Sequence, residues 1–579
     1  MTQSPPKGKF LGWIERFRNR EDQLVILLSL VIGVLVGLVV VAFILLTGRL
    51  AARMYPPGSA AWRRVLLPVT GALSTGYLLY RYFPNARGSG IPQTKFAIFI
   101  DNGYISLKTV LGKFFLCSAS LASGIALGRE GPSVQVGAGI ASVLGRRLGI
   151  STENVKALLP MGCSAALAAA FNTPIAAVLF SLEEILGDMH APVLGCVVIS
   201  AATSWMVLHL VLGDEPLFHV PAYHLVSPFE FLIYAVLGVV GGLGSVCFVK
   251  LLLKIRVLFK KLPASTGWLQ PAAGGLLVGL LGWYMPEVLG VGYGYVDRVL
   301  TGDFPLKTVA ILAVLKIIAT ASCYSSGNAG GIFGPSLFIG AMIGGSVGSV
   351  AHHFFPAITA NPGAYALVGM GTAFAGIIRT PMTSVIMIFE LTRDYSIIVP
   401  LMISNLISFF ISQRLQREPI YEALALQEGV YLPTGESREE LSGTRVGQVM
   451  QIRPELLPLE MDLGAARRRL QEANRNAWPV GSGERLYGIV AARQIEGVRD
   501  PSVKFLRHIV ELDGKYPYVH PDHPLSLALE RMGAAGIDTI PVVSRADIRR
   551  IYGVVTLPSV LAAYGVTEEM AAAGSKHQA

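Results

Sequence analysis

Three short segments bring glycine and proline together inside otherwise apolar sequence: Gly88-Ser89-Gly90-Ile91-Pro92, Gly128-Arg129-Glu130-Gly131-Pro132 and Gly331-Ile332-Phe333-Gly334-Pro335. Proline suits the first turn of a helix, where its missing N–H would have had no partner, and glycine lets backbone come close. Each segment therefore predicts a helix start with exposed backbone N–H groups. Where such starts converge, unpaired donors and the positive end of the helix dipole make a site for an anion that needs no buried lysine or arginine. Chloride suits it, because N–H and O–H donors replace its water at modest field strength and still release it. Ser89 offers one hydroxyl. Any one Gly-Pro pair is as readily a loop turn, but three in apolar context argue against that reading for all of them.

Acids are the second chemistry. Glu130 sits in the middle segment, where an ionised carboxylate would compete for an anion's place and block it, and a protonated one would withdraw and open the path outward. The bland alternative is an ion pair with Arg129. Neighbours in sequence seldom face each other on a helix, however, and an ionisable group at membrane depth is functional by default. Glu183 and Glu184 follow Phe180-Ser181-Leu182 at the end of an apolar helix, where acids can also simply ring a helix end at the water boundary.

These residues are written into a duplicated frame. Gly131-Pro132-Ser133 with Gly137-Ala138 returns as Gly334-Pro335-Ser336 with Gly340-Ala341, an offset of 203, and Thr173-Pro174 with Glu183 returns as Thr380-Pro381 with Glu390, an offset of 207. A repeated half of about two hundred apolar residues is the mark of membrane transporters, whose sites lie where the repeats meet. With 579 residues, 52% hydrophobic and 15% charged, and a mean hydropathy of +0.53, the chain reads as a polytopic membrane protein. Apolar stretches run from Leu24 to Leu46, Val65 to Tyr80, Val193 to Leu212, Leu232 to Leu253, Ala272 to Tyr284 and Val309 to Ala319. Several reach the ~20 residues a spanning helix needs. Others are broken by some of the 63 glycines, which suggests helices that stop inside the membrane where protein covers the freed backbone.

The net charge of +10 is scattered through tail and loops with no aromatic-interleaved basic face, so nucleic acid is not an expected partner. Lys7, Lys9, Arg16, Arg18 and Arg20 precede the first apolar segment and place the N-terminus on the cytoplasmic side of the inner (plasma) membrane; no small-residue cleavage site follows, so that segment reads as an anchor. The five cysteines, Cys117, Cys163, Cys196, Cys247 and Cys323, read as small buried side chains with no metal spacing. His352-His353 reads as an interfacial pair. No nucleophile elbow, phosphate loop or zinc spacing supports an enzyme.

Apolar character ends near Phe410, and a Glu-, Gly- and Ser-rich linker leads into soluble composition. There a pattern of extended segment, helix, Pro-Val strand and Gly-led strand occurs twice, as Trp478-Pro479-Val480 with Tyr487-Gly488-Ile489-Val490 and as Ile540-Pro541-Val542-Val543 with Tyr552-Gly553-Val554-Val555. The expected domains are a tail over 1–22, a transport domain over 23–426 with halves of about 23–225 and 226–426, a linker over 427–443, two soluble modules over 444–500 and 501–564, and a disordered tail over 565–579.

The soluble modules resemble a tandem pair of CBS domains. Their ribose motif usually ends in an aspartate, and Gln494 and Ser559 stand at those places; adenine-nucleotide binding and a purely dimerising module remain equal alternatives. The three glycine-proline segments, in this order and followed by such a pair, resemble the CLC family of chloride channels and chloride/proton exchangers from about Asp22 to Tyr564. The resemblance implies an all-helical membrane domain with an antiparallel two-fold repeat, followed by a cytoplasmic α/β CBS pair, in a homodimer with one pore per subunit. It implies that Ser89, the backbone amides of Ile332 and Phe333, and the phenol of Tyr421 coordinate a central chloride. The amides around Arg129, Glu130 and Gly131 would form an outer site. In exchangers of the family the second acid of the pair matching Glu183-Glu184 relays protons from the cytoplasm, and channels commonly carry an apolar residue there, so Glu184 favours exchange. Glu390, in the place of Glu183, reads as structural. The expected activity is chloride transport in exchange for protons, without cofactor or metal; the alternatives are a passive chloride channel gated by Glu130 and, of another class, a membrane-anchored CBS sensor.

Overall fold

Proline opens helix after helix. In the computed structural model Pro174, Pro362 and Pro381 each begin a helix, and Pro92 lies in the first turn of another. Pro132 and Pro335 stand two residues further in, because their helices start at Glu130 and Phe333; N–H groups that deep in the first turn are still unpaired, so proline costs nothing there. The structure describes residues 21–189, 192–214, 216–220, 225–430, 444–473, 475–498, 503–510 and 516–563. The basic N-terminal residues, most of the expected linker and the C-terminal tail lie outside them.

The chain forms two compact units, residues 1–432 and 433–579. In the first, eight helices of one half correspond in order to eight of the other. They are α1 (Glu21–Met54), α2 (Arg63–Arg81), α3 (Ile91–Phe99), α4 (Leu107–Ala122), α5 (Glu130–Arg147), α6 (Thr152–Phe171), α7 (Pro174–Phe180) and α8 (Leu194–Leu212), then α9 (Glu230–Lys260), α10 (Gln270–Tyr284), α11 (Tyr293–Leu300), α12 (Leu306–Ser325), α13 (Phe333–Phe354), α14 (Pro362–Ile378), α15 (Pro381–Thr392) and α16 (Ile398–Leu415). A short helix α17 (Ile420–Leu426) follows. Packing repeats too: α1 lies on α8 as α9 lies on α16, and α5 on α6 as α13 on α14. Seven helices among the described residues are long and apolar enough to cross a membrane.

Two sets of contacts join the halves reciprocally. Gly128 and Gly331 exchange both backbone hydrogen bonds at 2.7 Å as an antiparallel bridge. Glu183 accepts from the Met382 and Thr383 amides at the start of α15, at 3.3 and 2.8 Å. Glu390 accepts from the Ile175 and Ala176 amides at the start of α7, at 3.0 and 2.7 Å. Contacts that return in exchanged order define a two-fold relation, and the two segments run in opposite directions at the Gly128–Gly331 bridge. Glu390 is structural as read from the sequence, and so is Glu183.

Five of the six apolar stretches seen in the sequence lie within longer helices, and the sixth, from Val193, coincides with α8 but for its first residue. The helices α5, α6, α13 and α14 were not among those stretches, because they are rich in Gly, Ala and Ser and mostly buried against other helices rather than facing lipid. Among the cysteines Cys117, Cys163 and Cys323 are buried, Cys196 is half-buried, and Cys247 is exposed on α9, which corrects the expectation that all five are interior.

In the second unit strands β2 (Ala477–Ser482) and β3 (Arg485–Ala491) pair antiparallel, while β1 (Gln451–Ile452), β4 (Thr539–Val543) and β5 (Ile551–Thr556) form a sheet in the order β1-β5-β4. The two Pro-Val motifs occupy like positions: Val480 bridges Leu457 in parallel as Val542 bridges Val519.

Candidate functional site

The loop Gly88-Ser89-Gly90 reaches the start of α5 because glycine lets it. Gly90 has a φ of 103°, and a Cβ there would stand 2.4 Å from the Gly131 carbonyl oxygen. Lys113 on α4, fully buried, fastens this loop by donating to the carbonyl oxygens of Ala86 at 3.0 Å and Gly88 at 2.6 Å. The second half does the same: buried Lys316, 203 residues later, donates to Val288 at 3.0 Å and Gly290 at 2.7 Å. A buried ammonium thus stands behind each of these two glycine loops, engaged by carbonyl oxygens.

The hydroxyls of Ser89 and Tyr421 are both buried and have no hydrogen-bond partner. Tyr324 of α12 lies beside Ser89 without a well-formed bond to its hydroxyl. Tyr421 is within electrostatic reach of Glu130, Glu184 and Tyr324. Ile332 and Phe333 are buried at the start of α13, and the Phe333 ring packs on Phe171, Phe180 and Phe374 at centroid distances of 4.7, 5.4 and 4.4 Å. A cavity of about 570 Å³ has Gly88 and Tyr324 in its lining together with Arg87, Arg256 and Lys260. Asp101 and Glu428 share that lining, and Glu428 pairs with Arg256.

Glu130, the first residue of α5, is fully buried. Its Oε2 accepts from the Gly334 amide of α13 at 3.2 Å, and its Oε1 accepts from the Tyr293 phenol. Arg129 Nε is 3.9 Å from Glu130 Oε1 and has no hydrogen-bond partner; its guanidinium lies over the Tyr293 ring. The ion pair weighed for this acid is thus marginal, and a phenol and an amide hold it instead. Tyr293 was not singled out in the sequence. Its only mark is the repeat: Gly290-Val291-Gly292-Tyr293 stands about 202 residues after Gly88-Ser89-Gly90-Ile91.

Beyond Phe180, α7 continues as a wider π-helical turn, Ser181–Leu186, a form that often marks a functional site. It turns Glu183 to the α15 cap and Glu184 inward, where Lys95 of α3 donates to it at 2.9 Å. Lys95 and its second partner, Glu422, were also missed. In the second unit, Gln494 accepts from the Ala491 amide at 2.8 Å and the Ser559 hydroxyl accepts from the Thr556 amide at 3.0 Å, so both side chains cap their own helices.

A two-fold helical repeat with interrupted helices, and with buried acids and unpartnered hydroxyls at the junction of its halves, defines a multi-pass membrane protein. The sequence profile described as voltage gated chloride channel matches residues 70–413, and that of the CBS domain matches residues 509–565. A protein of Ralstonia nicotianae named as a ClcB-like chloride channel protein is 35% identical over 349 residues, 59% of this chain and 81% of its own. The H(+)/Cl(-) exchange transporter ClcA of Vibrio campbellii is 30% identical over 72% of this chain and 92% of its own. A crystal structure of a eukaryotic CLC transporter superposes with a TM-score of 0.64 at 20% identity, over 92% of this chain and 97% of that one. The chain belongs to the voltage gated chloride channel (CLC) family.

Proposed function

We propose that the protein is a secondary active transporter that exchanges chloride for protons, with Glu130 as the outer gate and Glu184 as the inner proton acceptor. One observation carries the reading: the buried Glu130 carboxylate is seated on the Gly334 amide at the start of α13, where an anion would otherwise bind. Ionised, it occupies the anion's place; protonated, it has less hold on amide and phenol and leaves. Ser89 and Tyr421 supply hydroxyls to a central chloride, with the backbone amides of Ile332 and Phe333, and the amides around Arg129 and Gly131 serve an outer position. The exchange transporter of Vibrio campbellii supports antiport by its similarity. Burial of Glu184 beside Lys95 supports a proton role over an acid exposed to water at a helix end.

A passive channel is the second reading, favoured by the relative named as a chloride channel protein. A homodimer, each subunit with its own pore, and a cytoplasmic position for the second unit complete the proposal. The capping roles of Gln494 and Ser559 favour an assembly role for that unit over nucleotide binding.

The test is proton uptake by liposomes holding the purified protein, with a chloride gradient as sole driving force and the voltage clamped by valinomycin and potassium. Uphill proton movement is expected. Glu130→Ala should keep anion flux and lose both proton movement and pH dependence; chloride flux without proton movement in the wild type would make the protein a channel.

A further inference from the structure

Lys95 meets two carboxylates where a structural ion pair needs one. Its ammonium lies 2.9 Å from Glu184 Oε1 and 2.5 Å from Glu422 Oε1. The three residues come from α3, the π-helical turn and α17, and none is more than 7% exposed. Among the described residues no second ammonium or guanidinium pairs with either acid. Glu183, beside Glu184, has both oxygens engaged by Met382 and Thr383, and the Tyr421 phenol is within electrostatic reach of Glu184 and Glu422 as well as of Glu130 and Tyr324. With both acids ionised the cluster carries one unbalanced negative charge in a poorly polarisable setting, which is costly. A single added proton neutralises it.

The structure also offers a place for that proton. Glu422 Oε2 is buried and has no hydrogen-bond partner, whereas Glu422 Oε1 is engaged by Lys95. We propose that Glu422 is a second proton-bearing carboxylate of the inner route, sharing one exchangeable proton with Glu184 across Lys95. In the loading step a hydronium ion from the aqueous side gives up its proton, an O–H bond forms at Glu422 Oε2, one water is left, and the cluster charge goes from −1 to 0; Lys95 keeps its own protons throughout. Glu422 follows Tyr421 directly on α17, so an anion held by the Tyr421 hydroxyl attracts a proton to the cluster next to it. By linkage the proton favours the anion equally. One short helix would thus carry a ligand for each of the two exchanged ions.

This inference rests on the exchange reading, and its test separates the two. With the full-length protein in liposomes, chloride efflux and proton uptake are recorded together. Glu422→Gln should retain chloride flux and lower the protons moved per chloride by about tenfold or more, as loss of a positioned proton-transfer group implies; Glu422→Asp should restore most of it. Infrared difference spectra on acidification provide a readout that needs no transport: the carboxylic C=O band should shift in Glu422→Asp, which keeps the carboxylate that Lys95 requires. An unchanged proton-to-chloride ratio in Glu422→Gln would overturn the proposal. So would equal loss of both fluxes with an unshifted band, which would leave Glu422 a counter-ion of Lys95. If the wild type moves no protons uphill, the exchange reading fails, and the band alone still decides whether Glu422 takes up a proton.

Discussion

Glu130 is held by a different donor at each oxygen, and the two donors play different parts. The Gly334 amide belongs to the helix start that any anion in this position would use, while the Tyr293 phenol serves the carboxylate alone. A hydrogen bond to a charged acceptor contributes about 1.5–3 kcal/mol, so Tyr293→Phe should shift Glu130 from the seated to the withdrawn position by about tenfold or more. The expected result is faster chloride efflux from liposomes at neutral pH and a weaker response to external acidification, with exchange still coupled through Glu130. Identical rates and identical pH dependence would make the phenol a packing residue. Ser89 and Glu130 stood out in local sequence because glycine-proline context marks a helix start and an acid in an apolar run is conspicuous, whereas Glu184 was told apart from Glu183 only by the family resemblance. Tyr293 did not stand out, since the second copy of its loop has Val291 where the first has Ser89 and lacks the following proline. Lys95 and Glu422 were hidden for another reason: they meet across 327 residues of chain, and nothing nearby in sequence signals such a pair.

At the scale of elements, the site depends on how closely α5 approaches α6 and α13 approaches α14. A Cβ on Gly137 would lie 2.2 Å from the Gly162 carbonyl oxygen, and one on Gly340 would lie 2.2 Å from that of Gly369. Both crossings are backbone on backbone, which small residues permit when helices pack inside a membrane. Gly137→Leu should therefore cost about 3 kcal/mol, the upper end of overpacking, because the clash is with main chain that has no rotamer to change. Gly195→Leu on α8, where a Cβ would meet nothing within 4 Å, is the matched control and should unfold like wild type. Thermal unfolding in detergent followed by tryptophan fluorescence compares them; equal midpoints would mean the helices can part without loss. The same chemistry explains which helices the sequence disclosed. Lipid-facing stretches are long and apolar and were legible, whereas the interior helices that carry Glu130 and Phe333 use small and polar residues that an apolar-run reading passes over.

For the whole molecule the decisive feature is that neither half closes the start of its own seventh helix, α7 or α15. The α7 start is capped by Glu390 from the second half, and the α15 start by Glu183 from the first. Each cap combines a carboxylate with two backbone donors at the positive end of a helix dipole, and Thr383 adds its hydroxyl to Glu183 at 2.7 Å. Glu183→Gln and Glu390→Gln should each lower stability by about 1.5–3 kcal/mol, the contribution of a charged hydrogen bond. Because the caps lie at separate helix starts, the double variant should lose close to the sum of the two. Transport separates this role from that of the neighbouring acid: Glu183→Gln should leave the proton-to-chloride ratio unchanged where Glu184→Gln lowers it, though the two residues are adjacent in the chain. Unfolding midpoints and coupled flux measured on the same preparations decide the matter. A Glu183→Gln protein of wild-type stability but lost coupling would mean that the acids of the π-helical turn act together on the proton, and that the two-fold cap is incidental to holding the halves in register.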